Sequence, residues 1–122
     1  MTHILTTADG AQLAVISCAV RNPGSGWGVI FDAAHSPSGV SGVIQRADHL
    51  ELTHAVGAVR VSSLQVTPDE WYAARALRVG ASVGLALTRI YMYSGTSTTP
   101  VDPATLVASS GNLWITGFLE LS

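Results

Sequence analysis

The sequence predicts an all-β protein, an antiparallel β-sandwich with a jelly roll as one form of it, carrying one or two short helical turns. Three observations predict it. Apolar and polar residues alternate with period two along seven or eight segments, the signature of half-buried strands. Gly- and Pro-centred breaks recur about every 8–12 residues, the spacing of an all-β domain. No long stretch repeats with the helical period, and no internal repeat or heptad appears. At 122 residues the chain is read as one domain, 1–122, large enough to bury a core without disulfides.

The first strong strand is Leu13–Val20, where Leu13, Val15 and Ser17 alternate with Ala14, Ile16 and Cys18. Arg21-Asn22-Pro23-Gly24-Ser25-Gly26 ends it, because proline fixes φ and glycine admits positive φ. Trp27–Asp32 then reads as a strand with Trp27, Val29 and Phe31 on one face. After a loop over Ala33–Gly39 come a weak strand, Val40–Ile44, and a clear one, Leu50–His54. In the latter Leu50 and Leu52 point inward, with His49, Glu51 and Thr53 outward. Gln45–Asp48 suits the hairpin between them.

Between Val59 and Val66 the apolar phase slips from odd to even positions. One extra residue at Ser62-Ser63 would keep Val59, Val61, Leu64 and Val66 on the core side, so a β-bulge is expected there. Thr67-Pro68-Asp69-Glu70 reads as a helix start, with Thr67 as cap, Pro68 at the first helical position and Glu70 completing a capping box; Val66 and Trp71 would form the staple. The helix must be short, since Arg78-Val79-Gly80 leads into another strand. Ala81–Ser94 is then expected to be the longest strand, apolar on both faces and so covered on both. Gly95–Pro100 is a surface loop, Asp102-Pro103 opens a single helical turn, and Leu113–Leu121 closes the chain as an alternating strand, also expected to be covered on both faces.

Composition bounds the function. The chain is 48% hydrophobic but only 11% charged, and it contains no lysine, whereas about a quarter of a typical soluble domain is charged. Such thin charge implies that other subunits cover much of the surface, and a homo-oligomer, most simply a trimer, is expected. The net charge of −2 and six scattered arginines give no basic stripe for nucleic acid. The N-terminus lacks the pattern of a signal peptide, and no apolar run approaches the length of a membrane helix. Cys18, the single cysteine, reads as a buried free thiol.

No motif specifies catalysis. The four histidines lack chelating spacing: His49 and His54 fall on opposite faces of one strand. Thirteen serines include no nucleophile elbow, and Gly80-Ala81-Ser82-Val83-Gly84 has no lysine and precedes a strand, unlike a phosphate loop. The chain is therefore read as a non-enzyme without cofactor or metal. Candidate ligand or interface residues are Asp32 and His35, together with the aromatics Trp27, Trp71, Tyr91, Tyr93 and Trp114. Asp32 and His35 either hold a ligand at one end of the sandwich or serve their own loop, Asp32 bonding its backbone. The aromatics are either core and interface anchors or a platform on which sugar rings stack.

Several stretches, Trp27–Gly39, Val66–Glu70, Gly80–Leu85 and Asn112–Phe118, resemble small virion proteins of tailed bacteriophages, especially those of actinobacterial hosts. The resemblance implies a minor tail, fibre-tip or head-decoration component, β-rich and homo-oligomeric, docked on other virion proteins after assembly in the host cytoplasm. A carbohydrate-binding module that recognises the host surface is the alternative. The closing strand is also similar to the last strand of tumour-necrosis-factor-like jelly rolls, which form trimers.

Overall fold

The computed structural model describes residues 2–31, 36–107 and 111–121. Along the chain lie β1 (His3–Thr6), β2 (Gln12–Arg21), β3 (Gly28–Val29), β4 (Val40–Gln45), β5 (Leu50–His54), β6 (Arg60–Pro68), α1 (Glu70–Ala73), β7 (Leu77–Val83), β8 (Leu87–Ser94), a 3-10 turn (Pro103–Thr105) and β9 (Leu113–Glu120). They form two antiparallel sheets. One runs β1-β2-β9-β6 with β3 also on β2, the other β4-β5-β8-β7. The fold is the all-β sandwich that the alternation predicts.

The chain changes sheet four times, so that β2 pairs with β9 in one sheet and β5 with β8 in the other, nested one inside the next. The core follows from parity. Ala14, Ile16, Cys18 and Val20 of β2 and Leu113, Ile115 and Leu119 of β9 face Leu50 and Leu52 of β5 and Ile90 and Met92 of β8, all buried. Tyr72 of α1 enters the same cluster and donates its hydroxyl to Gly111 O at 3.1 Å.

The free edge of β2 is covered in pieces. β1 pairs with its first half, Ser38 bridges Ser17, and β3 takes its end. Ser38 ties the first two together: its hydroxyl donates to Val15 O at 2.8 Å and accepts His3 N–H at 3.0 Å. Gly39 follows with φ of +79°, and a Cβ there would stand 2.4 Å from Ile16 Cδ1, so only glycine lets the loop pass this close.

The expected bulge is present. Val61 pairs with Leu119 and Ser63 with Phe118, leaving Ser62 as the extra residue. Val61, Leu64 and Val66 pack on the core, whereas Val59 precedes the strand and is exposed.

Three expectations are corrected. Trp27–Asp32 contracts to a two-residue strand: Trp27 and Ile30 are buried and Phe31 is 81% exposed, because only the end of β2 is available as a partner. Ala81–Ser94 is two strands joined at Gly84-Leu85-Ala86. The turn is held from outside, since His54 N–H donates to Ala86 O at 3.0 Å and its Nδ1 bonds Leu85 O at 3.1 Å. β8 is buried on one face only, through Thr88, Ile90 and Met92. At the helix, Asp69 caps instead of Thr67, and Pro68 ends β6. As expected of a central strand, β9 lies between β2 and β6, and within one chain its outward residues Trp114 and Phe118 are 38% and 36% exposed.

Candidate functional site: two outer faces and an indole-lined depression

The structure distributes the candidate residues among separate places. Asp32 and His35 lie outside the described residues. Trp27 is a plug at one end of the sandwich, its indole Nε1 donating to Pro103 O at 2.8 Å. Asn22, buried beside it, donates to Leu106 O and accepts the N–H groups of Gly24 and Gly26. This clasp of two loops is structural, and Trp27 is an anchor.

Tyr91 and Tyr93 stand on the outer face of the four-stranded sheet, which is the charged side of the molecule. The Arg78 guanidinium lies 5.2 Å from the Tyr93 ring centre, and the His49 ring 5.3 Å from that of Tyr91. His49 spans two carboxylates, Asp48 at 2.5 Å and Glu51 at 3.1 Å. Glu51 also pairs with Arg46 at 3.3 Å. The His49 and Arg46 contacts hold the Glu51 carboxyl below the usual range. Arg89 lies across from Glu51.

The outer face of the five-stranded sheet differs. Its cross-strand rows place Leu5 beside Leu13 and Glu120, then His3 beside Val15, Phe118 and Ser63, then Ser17 beside Thr116 and Gln65, and last Ala19 beside Trp114 and Thr67. Charge lies at two ends of the face: Arg60 grips Glu120 through two bonds of 2.6 and 3.1 Å at one corner, and Arg21 ends β2 opposite Gly28 at the other. Leu5 is 48% exposed. The sequence reading missed this apolar group, because Phe118 joins Leu5 and Val15 of the β1–β2 hairpin from the other end of the chain.

Trp71 and Trp114 are the two candidates that the fold brings together. They border a depression of about 670 Å³ with Asp69, Glu70, Ala74 and Arg75. Asp69 builds it: one carboxylate oxygen caps α1 by accepting Trp71 N–H at 3.0 Å, and the other accepts Asn112 N–H at 2.7 Å. The Asp69 N–H returns a bond to Asn112 O at 3.1 Å. The helical turn is thereby fastened to the start of β9, two residues before Trp114. Trp71 meets the Tyr72 ring edge-on at 4.8 Å, and the Arg75 guanidinium stacks 3.9 Å from its ring centre while donating to Trp71 O. The four-residue spacing of Trp71 and Arg75 was readable in the sequence as a same-face helical pair.

Two buried groups hold their protons tightly. Burial pushes the Cys18 thiol up to about 12, so it is neither a nucleophile nor a ligand near neutral pH. Burial, with Asp69 nearby, also raises Tyr72. Among the described residues no three His, Cys, Asp or Glu side chains gather as metal ligands, and no helix is long and apolar enough to cross a membrane.

No protein-family model, no curated protein and no solved structure matches this chain.

Proposed function

We propose that this chain is a non-enzymatic structural subunit that assembles with copies of itself through the outer face of its five-stranded sheet. The particle proposed is a tailed-bacteriophage virion, with the chain as a minor tail or tail-tip component docked on other virion proteins. The observation that carries the assembly reading is the asymmetry of the two outer faces. Arg46, Arg78, Arg89, Asp48 and Glu51 cluster on or beside the four-stranded sheet, while the other sheet presents Leu5, Leu13, Val15 and Phe118 among neutral polar residues, with one ion pair at a corner and Arg21 at the far end of β2. Residues at interface cores are apolar and aromatic, with charge at the rim.

Four strands about 4.8 Å apart and some seven residues long give a face of roughly 20 by 25 Å. Three copies are the expected number, in keeping with the resemblance of the closing strand to trimeric jelly rolls. The virion role rests on the resemblance of sequence alone.

Light scattering on the purified chain at micromolar concentration tests the assembly. The parent is expected to be a trimer, and Phe118→Arg a folded monomer, since a second guanidinium beside the Arg60–Glu120 pair would be buried with its nearest carboxylate already engaged. A parent that stays a monodisperse monomer refutes the reading.

A further inference from the structure

We propose that the depression between Trp71 and Trp114 is a saccharide site that takes one neutral pyranose unit. Its dimensions suit a small ligand: about 670 Å³ falls inside the range of roughly 300–1,000 Å³ typical of such sites. Its lining suits a sugar in particular. A pyranose offers a flat face of C–H groups and a rim of hydroxyls that both donate and accept. The indoles supply flat apolar walls, Glu70 an acceptor and Arg75 a fork of donors, and the small Ala74 leaves room between them.

The walls are set before any ligand arrives. Trp71 is held by a T-shaped contact with Tyr72, by Arg75 over its ring and by Asp69 at its backbone. Trp114 stands on the central strand of its sheet, two residues after the Asn112–Asp69 clamp. Preorganised aromatic walls bind with little loss of side-chain entropy.

The same residues argue against other ligand classes. Two carboxylates, Asp69 and Glu70, against one guanidinium disfavour phosphate, sulfate or an acidic sugar. A quaternary ammonium would be repelled by the Arg75 cation, which already lies over the Trp71 ring. A proline-rich peptide needs an elongated aromatic groove, whereas this lining comes from one helical turn and one strand residue.

Trp114 and Phe118 share the outer face that the assembly reading uses, so an open saccharide site requires the subunit contact to be confined to the Phe118 end. Phe118 is four residues along β9 from Trp114, about 13 Å away, so Phe118→Arg tests assembly while leaving the depression intact.

The indole N–H resonances of the full chain provide the test. Methyl glycosides of glucose, galactose, mannose, rhamnose and N-acetylglucosamine are titrated, with choline and a decaproline peptide as competing classes. At least one glycoside is expected to move the Trp71 and Trp114 signals with a Kd of about 1–10 mM. The Trp27 signal, locked on Pro103 O, should stay still. Glu70→Gln, at an exposed position, and Arg75→Leu should each weaken the effect by about tenfold with the fold retained. Four results would overturn the proposal: no shift at about 100 mM of any glycoside, equal movement of Trp27, a stronger response to choline or decaproline, or parent affinity in folded Glu70→Gln.

Discussion

Gly117→Ala is the sharpest test of how the two halves of the five-stranded sheet fit. Gly117 is an inward position of β9, opposite Leu64 of β6. A Cβ there would lie 2.0 Å from Ser63 O, 2.6 Å from Leu64 Cα and 2.8 Å from Ser63 C. Carbon needs about 3.5 Å from such neighbours, so β6 would have to retreat by about 1.5 Å. The obstacle is backbone, and no rotamer change relieves it. Overpacking of this kind costs about 1–3 kcal/mol. A retreat that large also strains the ladder bonds beside the bulge, each worth about 1 kcal/mol. A total of about 3–5 kcal/mol is a large part of the 5–15 kcal/mol that holds a domain folded. For a chain of this size it lowers Tm by about 10–20 °C. Gly80→Ala is the control: its Cβ would meet only Tyr93 Cε2, at 3.8 Å, and its Tm should hold or rise slightly because the unfolded chain loses freedom. Calorimetric melts of the parent and both variants decide it. A Gly117→Ala protein melting within about 3 °C of the parent would refute the close crossing at the Ser62 bulge.

Cys18 and His54 supply two further tests. The Cys18 thiol, raised from 9.0 to about 12, is expected to resist iodoacetamide at pH 8 in the native state and to react fully in denaturant; native reaction at the rate of a free thiol contradicts the burial. Because the folded state holds this proton more tightly, the stabilisation is complete below pH 9 and is lost as pH rises towards 12, by at most about 4 kcal/mol. Tyr72 acts in the same direction above its usual range, so Cys18→Ala should lessen the alkaline loss seen in denaturant titrations without abolishing it. His54 bonds Thr88 Oγ1 through Nε2 at 2.8 Å and Leu85 O through Nδ1. A carbonyl only accepts, so Nδ1 carries the proton and the Thr88 hydroxyl donates. His54→Ala strands a buried hydroxyl and should cost about 2–3 kcal/mol by urea unfolding, whereas His54→Leu with Thr88→Val should recover most of it; equal losses would show that the hydrogen bond is not what holds the turn.

What could be read from the sequence was decided locally. Leu50 and Leu52 alternate with Glu51 and Thr53 over a strand with clear ends, and the structure keeps that parity. The bulge was legible because Val61 and Leu64 cannot share a face without an extra residue. Its other half was written in the chain too, since an isolated glycine in a strand marks a close backbone approach, and Gly117 is that glycine. What could not be read was decided at long range. The break at Gly84-Leu85-Ala86 carries little polar signal: Gly84 N–H closes it on Leu87 O, and His54, some thirty residues earlier, bonds the carbonyls of Leu85 and Ala86. Thr67 and Asp69 are equally good caps by composition. Asp69 takes the role because its second oxygen meets Asn112 N–H, a contact invisible to any local rule. The aromatic candidates scattered for the same reason: alternation tells which side of a strand a residue occupies, but not which sheet that strand joins.

The thin charge of the chain shows how far composition reaches. An average charge deficit implies covered surface somewhere, and period-two alternation implies two outer faces, but neither says which face is poor. The topology does, by threading β9 between β2 and β6. The inward parity of β9, Leu113, Ile115 and Leu119, is fully buried, so it is committed to stability. The outward parity, Trp114, Thr116 and Phe118, is partly exposed, and substitutions at Thr116 and Phe118 should alter association with little effect on the melt. Trp114 adjoins α1 at one end of the strand, and Phe118 lies among Val15 and Ser63 nearer the other. The polar Thr116 row divides them. A surface strand built only for solubility has no need of two large aromatic residues on its outward side, whereas one that presents a ligand wall at one end and a subunit contact at the other requires both.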